Sequence, residues 1–171
     1  MKPVPLANFL IPHSFARNLA EFRWGRGGTS SDHTTRHGVF YFSCSGHGGY
    51  VVDVAALSPE ERTEVEKVVT AEPIRILVQG DAVIGISNPF THTRGIKYKT
   101  HLGPPEWQDH PVYLFEEDCD WAALEYVTGI RTSWAKGRED KDPEAFVVDL
   151  ERRFEELVES KRKREVDAIP Q

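Results

Sequence analysis

Aromatic and β-branched runs dominate the first two-thirds of the chain, and wider apolar spacings dominate the last third. Val39-Phe40-Tyr41-Phe42-Ser43-Cys44 and Tyr50-Val51-Val52-Asp53-Val54 lie on either side of Ser45-Gly46-His47-Gly48-Gly49. Two such runs around a glycine cluster predict a hairpin whose tip carries His47. Ile74-Arg75-Ile76-Leu77-Val78 and Ala82 to Ser87 flank Gln79-Gly80-Asp81 and predict a second hairpin. Val112-Tyr113-Leu114-Phe115 predicts a further strand, leading into a helix that starts near Asp118, runs through Val127 and stops near Gly129. Ser58-Pro59-Glu60-Glu61 has the serine cap, first-position proline and returning glutamate of a helix start, so a helix is expected to about Thr70 with Val65, Val68 and Val69 inward. A short helix is expected from Ser14 to Phe22, capped by Ser14. Asp142-Pro143 opens the last helix, 143–164, on which Phe146, Leu150, Phe154, Leu157 and Val158 form one stripe.

Between these elements lie three irregular stretches. Residues 25–32 are rich in glycine and small polar residues but lack the lysine of a phosphate loop. Asn88 to His110 carries three prolines together with His92, His101 and His110, and reads as a binding loop or a segment with short strands that the pattern does not reveal. Residues 131–142 are polar and read as a linker. The sum is an α+β fold: a small, mostly antiparallel sheet made of both hairpins and the Val112 strand, covered by about three helices starting near Ser58, Asp118 and Pro143. One domain is expected over 1–171, with its core at about 20–130, the linker, the C-terminal amphipathic helix and a tail over 165–171.

Charge narrows the partners. The chain has 171 residues with 21 lysines and arginines against 27 aspartates and glutamates, a net charge of -6, so direct nucleic-acid binding is not expected from bulk charge. No apolar run is long enough for a membrane span, and prolines interrupt the N-terminus where a signal peptide needs a continuous apolar run, so a cytoplasmic protein is expected. The run Lys161-Arg162-Lys163-Arg164 reads as cations placed at the negative end of the last helix dipole. Two cysteines, Cys44 and Cys119, are too few for a disulfide framework, and both read as core.

Two constellations carry candidate chemistry. In Gly46-His47-Gly48-Gly49, glycines on both sides leave the imidazole presented and suited to acid–base work, although turn geometry alone also explains the glycines. Glu116-Glu117-Asp118-Cys119-Asp120-Trp121 places four carboxylates in five residues, more than a helix cap needs. Such crowding is tolerated in water or when a cation, a proton or a donor-rich partner is shared. The candidate catalytic residues are therefore His47, Glu117, Asp118 and Asp120, with Glu116, Gly46, Gly48, Gly49 and Trp121 as binding residues. The flanking acids argue against Cys119 as a nucleophile, because they hold its thiol protonated. No metal motif is present, His33 and His37 lacking a helical setting, though His47 and Asp118 would suit a metal if they met in space. No motif specifies a cofactor.

Taken in order, Trp24-Gly25, Gly38-Val39 leading to Gly46-His47-Gly48-Gly49-Tyr50, Leu57-Ser58-Pro59 and Glu116 through Ala122 resemble an uncharacterised domain family encoded mainly by phages, plasmids and other mobile elements. The long stretch before the acidic motif and the C-terminal helix depart from that pattern. The resemblance carries no activity; it implies that the two motifs belong together and that the gene comes from a phage or mobile element. Three functions follow as expectations. One is an accessory protein that binds a host protein and inhibits or redirects it in the host cytoplasm. The second is a hydrolase or transferase using His47 and the acidic residues 116–120, and the third is a structural virion component.

Overall fold

The computed structural model describes residues 9–25, 30–32, 34, 36–69, 74–79, 82–87, 106–116 and 120–168. Along the chain these form α1 (His13–Trp24), β1 (Ser30–Asp32), β2 (Val39–Cys44), β3 (His47–Asp53), a 3-10 turn (Val54–Ala56) and α2 (Pro59–Glu66). They continue with β4 (Ile74–Gln79), β5 (Ala82–Ser87), β6 (Glu106–His110), β7 (Val112–Glu116), α3 (Trp121–Thr128), α4 (Ser133–Glu139) and α5 (Pro143–Asp167). The class is α+β, as the sequence pattern predicts.

The strands make two antiparallel sheets in place of the single expected one: β1-β2-β3-β7 and β5-β4-β6. The change of sheet falls at Pro111, which has no N–H to give to a ladder. Residues before it pair with β4 and residues after it with β3, while the Pro111 carbonyl accepts the Val54 N–H at 3.1 Å. Of the two readings of the stretch before Pro111, short strands hold for its end: Glu106 to His110 is strand β6, whose pattern is hidden because it is mostly polar. Residues 88–105 lie outside the described residues. Asp53 stands at the same junction, fully buried. Its Oδ2 accepts the Ile11 N–H at 2.8 Å and lies 2.9 Å from His110 Nε2, while its Oδ1 accepts the Ala55 N–H at 3.0 Å.

The first sheet is covered on both faces, as alternation along its strands requires. Phe42, Val51 and Val112 pack with Ile11, Ala16, Leu19, Ala20 and Trp24 of the α1 layer. Val39, Tyr50, Val52 and Phe115 pack on the opposite side against the layer built by α2, α3, α4 and α5. Several helix boundaries differ from expectation. The Pro12 carbonyl accepts the Phe15 and Ala16 N–H groups, so α1 starts at His13, and Ser14 is not its cap. In α2 the capping box of Ser58 and Glu61 forms as the sequence predicts, but the helix ends at Glu66, where the bonds tighten to Glu64 O and Val65 O. Residues 133–139 are helix, not linker: the Thr132 hydroxyl accepts the Ala135 N–H at 3.1 Å, and Ala135 is fully buried. The last helix runs to Asp167 and opens with the Asp142 cap and Pro143.

The hairpin is tighter than the glycine cluster suggests. Cys44 opposes His47 across a two-residue turn, Ser45-Gly46, with Gly46 at φ 111°, so His47 is the first residue of β3 and not the tip. Gly49 has a different duty: a Cβ there would stand 1.9 Å from the Phe115 carbonyl oxygen and 2.7 Å from Trp24 Cζ2. Its bare backbone lets the indole lie against the strand.

Besides Asp53 and His110, a second ionisable pair is buried on the other side of the sheet. The Tyr50 hydroxyl donates to Glu125 Oε1 at 2.6 Å, and the Thr132 N–H reaches the same oxygen at 3.4 Å, while Oε2 has no partner. Burial raises the Glu125 carboxyl to about 7, against the Tyr50, Thr132 and Arg131 interactions that favour its charged form. The folded state thus holds a proton that the unfolded chain releases near its ordinary value, so stability is greatest below that value and falls as pH rises to about 7. Replacing Glu125 with Gln flattens this fall, which is on the order of 3 kcal/mol, in urea unfolding followed from pH 5 to 8. By the same method Gly49→Ala costs about 3 kcal/mol or more, whereas Gly46→Ala, which meets nothing within 4 Å, costs about 1–2 kcal/mol through its backbone alone.

Candidate functional site

The antiparallel pairing of β3 with β7 sets Gly49 opposite Glu116. His47, two residues earlier on β3, shares that face by strand alternation, and its side chain reaches along the sheet edge to Glu116. His47 Nδ1 lies 3.5 Å from Glu116 Oε1, and Arg23 at the end of α1 brings a guanidinium nitrogen to 3.6 Å from Glu116 Oε2. Glu116 is thus flanked by two cationic or potentially cationic groups. The His47 side chain is 56% exposed and that of Glu116 28% exposed, so each contact contributes well under about 1 kcal/mol to folding. The described residues give His47 Nε2 no hydrogen-bond partner.

Asp120 is built differently. It occupies the cap position of α3, yet its carboxylate makes no cap hydrogen bond to the helix. Instead its Oδ1 accepts the Glu116 N–H, while its own N–H donates to the Glu116 carbonyl at 3.1 Å. This reciprocal bracket closes the acidic segment on itself. Burial raises the Asp120 carboxyl to about 6, with the Glu116 charge acting in the same direction. The Glu116 and Asp120 N–H groups and Arg23 oppose the rise.

Beside β7, the edge strand of its sheet, lies a cavity of about 250 Å³ between the end of α1 and the last turns of α5. Arg23, Trp24, Glu116, Asp120, Lys161 and Arg164 bring their side chains to it. Trp24 is 8% exposed, and its indole nitrogen has no acceptor among the described residues. Its carbonyl accepts from the Cys44 thiol at 3.1 Å, so Cys44 is half-buried beneath α1 and held by a backbone oxygen.

The structure therefore brings together His47 and Glu116, and places Asp120 next to Glu116. Glu117, Asp118 and Cys119 lie outside the described residues. Gly46 serves the turn and Gly49 the seating of Trp24, while Gly48 continues the strand opposite Ser43. Trp121 is buried in the core, edge-on to Trp134 at 5.7 Å. Among the described residues no group of three histidine, cysteine, aspartate or glutamate side chains could hold a metal, and no helix is long and apolar enough to cross a membrane. His33, His92 and His101 are outside the described residues, His37 is exposed and His110 is bound to Asp53.

Sequence reasoning missed Arg23, Lys161 and Arg164. Lys161 and Arg164 stand three apart and share a helix face, a signal available in the sequence once that face is known to meet β7. No protein-family model, curated protein or solved structure matches this chain. Because His47 is half-exposed and makes only the long Glu116 contact among described residues, His47→Ala changes unfolding free energy by under about 0.5 kcal/mol, measured in urea with circular dichroism.

Proposed function

We propose that this chain is a small accessory protein of a phage or other mobile element that works by binding a host protein, inhibiting or redirecting it. Recognition centres on the rim formed by His47, Glu116 and Arg23. The observation that carries this reading is the contact between the two sequence motifs, His47 Nδ1 to Glu116 Oε1 at 3.5 Å, at an exposed sheet edge beside a cavity. Motifs with only turn and cap duties need no such meeting. Alternating charge across a few ångströms suits a partner that offers complementary charges, since such patterning favours the right partner and rejects wrong ones. The reading differs in one respect from a purely acidic docking face, because Glu116 is already flanked by Arg23 and His47.

A second reading has one observation in its favour. A carboxylate beside Nδ1 of a half-exposed histidine is the arrangement that orients an imidazole for general acid–base work, so a hydrolase or transferase centred on His47 remains the alternative. In that case Glu116 is the positioning residue, and Asp120 holds the segment that carries it.

The two separate by experiment. Purified full-length protein is passed through host extract alongside His47→Ala and Glu116→Gln, each shown to be folded by circular dichroism. Binding predicts one host protein recovered in a fixed stoichiometry with the original sequence and at least about fivefold less with either variant. Equal recovery with all three, or no stoichiometric partner, overturns it. Turnover of chromogenic phosphate and carboxylate esters that vanishes in His47→Ala selects the enzyme reading instead.

A further inference from the structure

We propose that the cavity between α1, β7 and α5 is a binding site for a small phosphate ester, its phosphoryl group held by Lys161, Arg164 and Arg23. The argument begins with the unequal treatment of charge around the cavity. Its two described carboxyl groups are already engaged: Glu116 lies against Arg23 and His47, and Asp120 accepts the Glu116 N–H. The cations of α5 are held otherwise. Lys161 Nζ donates to the Glu66 carbonyl at 2.7 Å, and an Arg164 guanidinium nitrogen donates to the Ser160 hydroxyl at 3.3 Å, both neutral acceptors. The nearest carboxylate to Lys161 among the described residues is Glu165 at 3.9 Å, itself 66% exposed, and none of them pairs with Arg164.

Lys161 is not an ordinary solvated lysine, since its side chain is only 22% exposed. Its stem is mostly covered while its ammonium rests on a neutral carbonyl at the rim of the cavity, so an anion there meets a positioned cation whose charge is not closely paired among the described residues. Arg164, one helical turn further on, and Arg23, across the cavity, offer guanidinium groups toward the same space. A phosphoryl group suits these cations better than a carboxylate, because it carries close to two negative charges and three acceptor oxygens. Trp24, Leu114, Leu157 and Val68 supply an apolar part of the wall, which favours a ligand with a short carbon skeleton behind its anionic head. At about 250 Å³ the space is just below the usual range for ligand pockets of roughly 300–1,000 Å³, so the skeleton is small. The site shares Arg23 and Glu116 with the rim of the host-partner reading but does not depend on that reading, since it needs no second protein.

The test is calorimetric titration of the full chain with glycerol 3-phosphate, with glycerol, inorganic phosphate and a short oligothymidylate run in parallel. Saturable binding of glycerol 3-phosphate, competed by inorganic phosphate and absent for glycerol, is expected. Lys161→Gln and Arg164→Gln each weaken it by about tenfold or more. Arg162→Gln, in the same basic run but outside the cavity wall, leaves it unchanged. Lys161→Arg, which keeps the charge, retains most of the affinity and controls for folding. No saturable binding of glycerol 3-phosphate overturns the proposal. So does equal binding of glycerol, insensitivity to both glutamine variants, or binding confined to the oligothymidylate, which marks a nucleic-acid surface instead.

Discussion

A fully buried carboxylate, Asp53, holds the three parts of this molecule in register. A buried carboxyl group needs hydrogen-bond partners in place of water, and Asp53 finds them in three separate places. The Ile11 N–H comes from the segment before α1, the Ala55 N–H from the turn after β3, and His110 Nε2 from the end of the second sheet. This anchor works together with apolar packing and a backbone bond: Ile11 shares a core cluster with Val51 of β3, and the Pro111 carbonyl at the end of β6 accepts the Val54 N–H just after β3. The effect reaches the candidate site through the rigidity of α1. Twelve helical residues carry the chain roughly 18 Å from the Asp53 anchor to Arg23 and Trp24, which then stand over Gly49 and Glu116.

The site draws its character from where it lies in the sheet. Strand β7 is an edge, and edges expose hydrogen-bonding groups that invite unwanted pairing. Here charged and bulky groups crowd that edge: Glu116 on the strand, Arg23 and Trp24 from one layer, Lys161 and Arg164 from the other. Protection of the edge and construction of a cavity are thus the same act. Asp120 and Glu116 bond to each other through a carboxylate and backbone groups, and both residues line the cavity.

How much of this was legible in the sequence depended on whether the deciding interaction was local. Ser58-Pro59-Glu60-Glu61 and Asp142-Pro143 announce helices because caps act within four residues, and both caps form as the pattern requires. The two hairpins were equally readable from runs that pair close in sequence. Failures came where a distant partner decided. Glu106 to His110 is too polar to read as a strand and becomes one through pairing with β4. Thr132 to Glu139 is too polar to read as a packed helix and becomes one because Ala135 fits beneath it. The candidate site shows the same division. His47 and Glu116 were singled out from motif composition, whereas Arg23, Lys161 and Arg164 come from helices whose position relative to β7 no local pattern records.

The long last helix has a gradient along it. Phe146, Leu150 and Phe154 are buried, Leu157 and Val158 are partly covered, and every residue from Arg162 to Asp167 is exposed. Just before that exposed stretch, Lys161 ties the helix to the carbonyl that ends α2. Amide protection against solvent exchange should therefore decay over the final two turns while the first four remain locked with the core. Arg164 rides on the part that frays, Lys161 on its hinge, and Arg23 on a helix that does not move with them. The two cation-bearing walls of the cavity are thus unequally packed, and a ligand held between them would extend amide protection toward the end of α5.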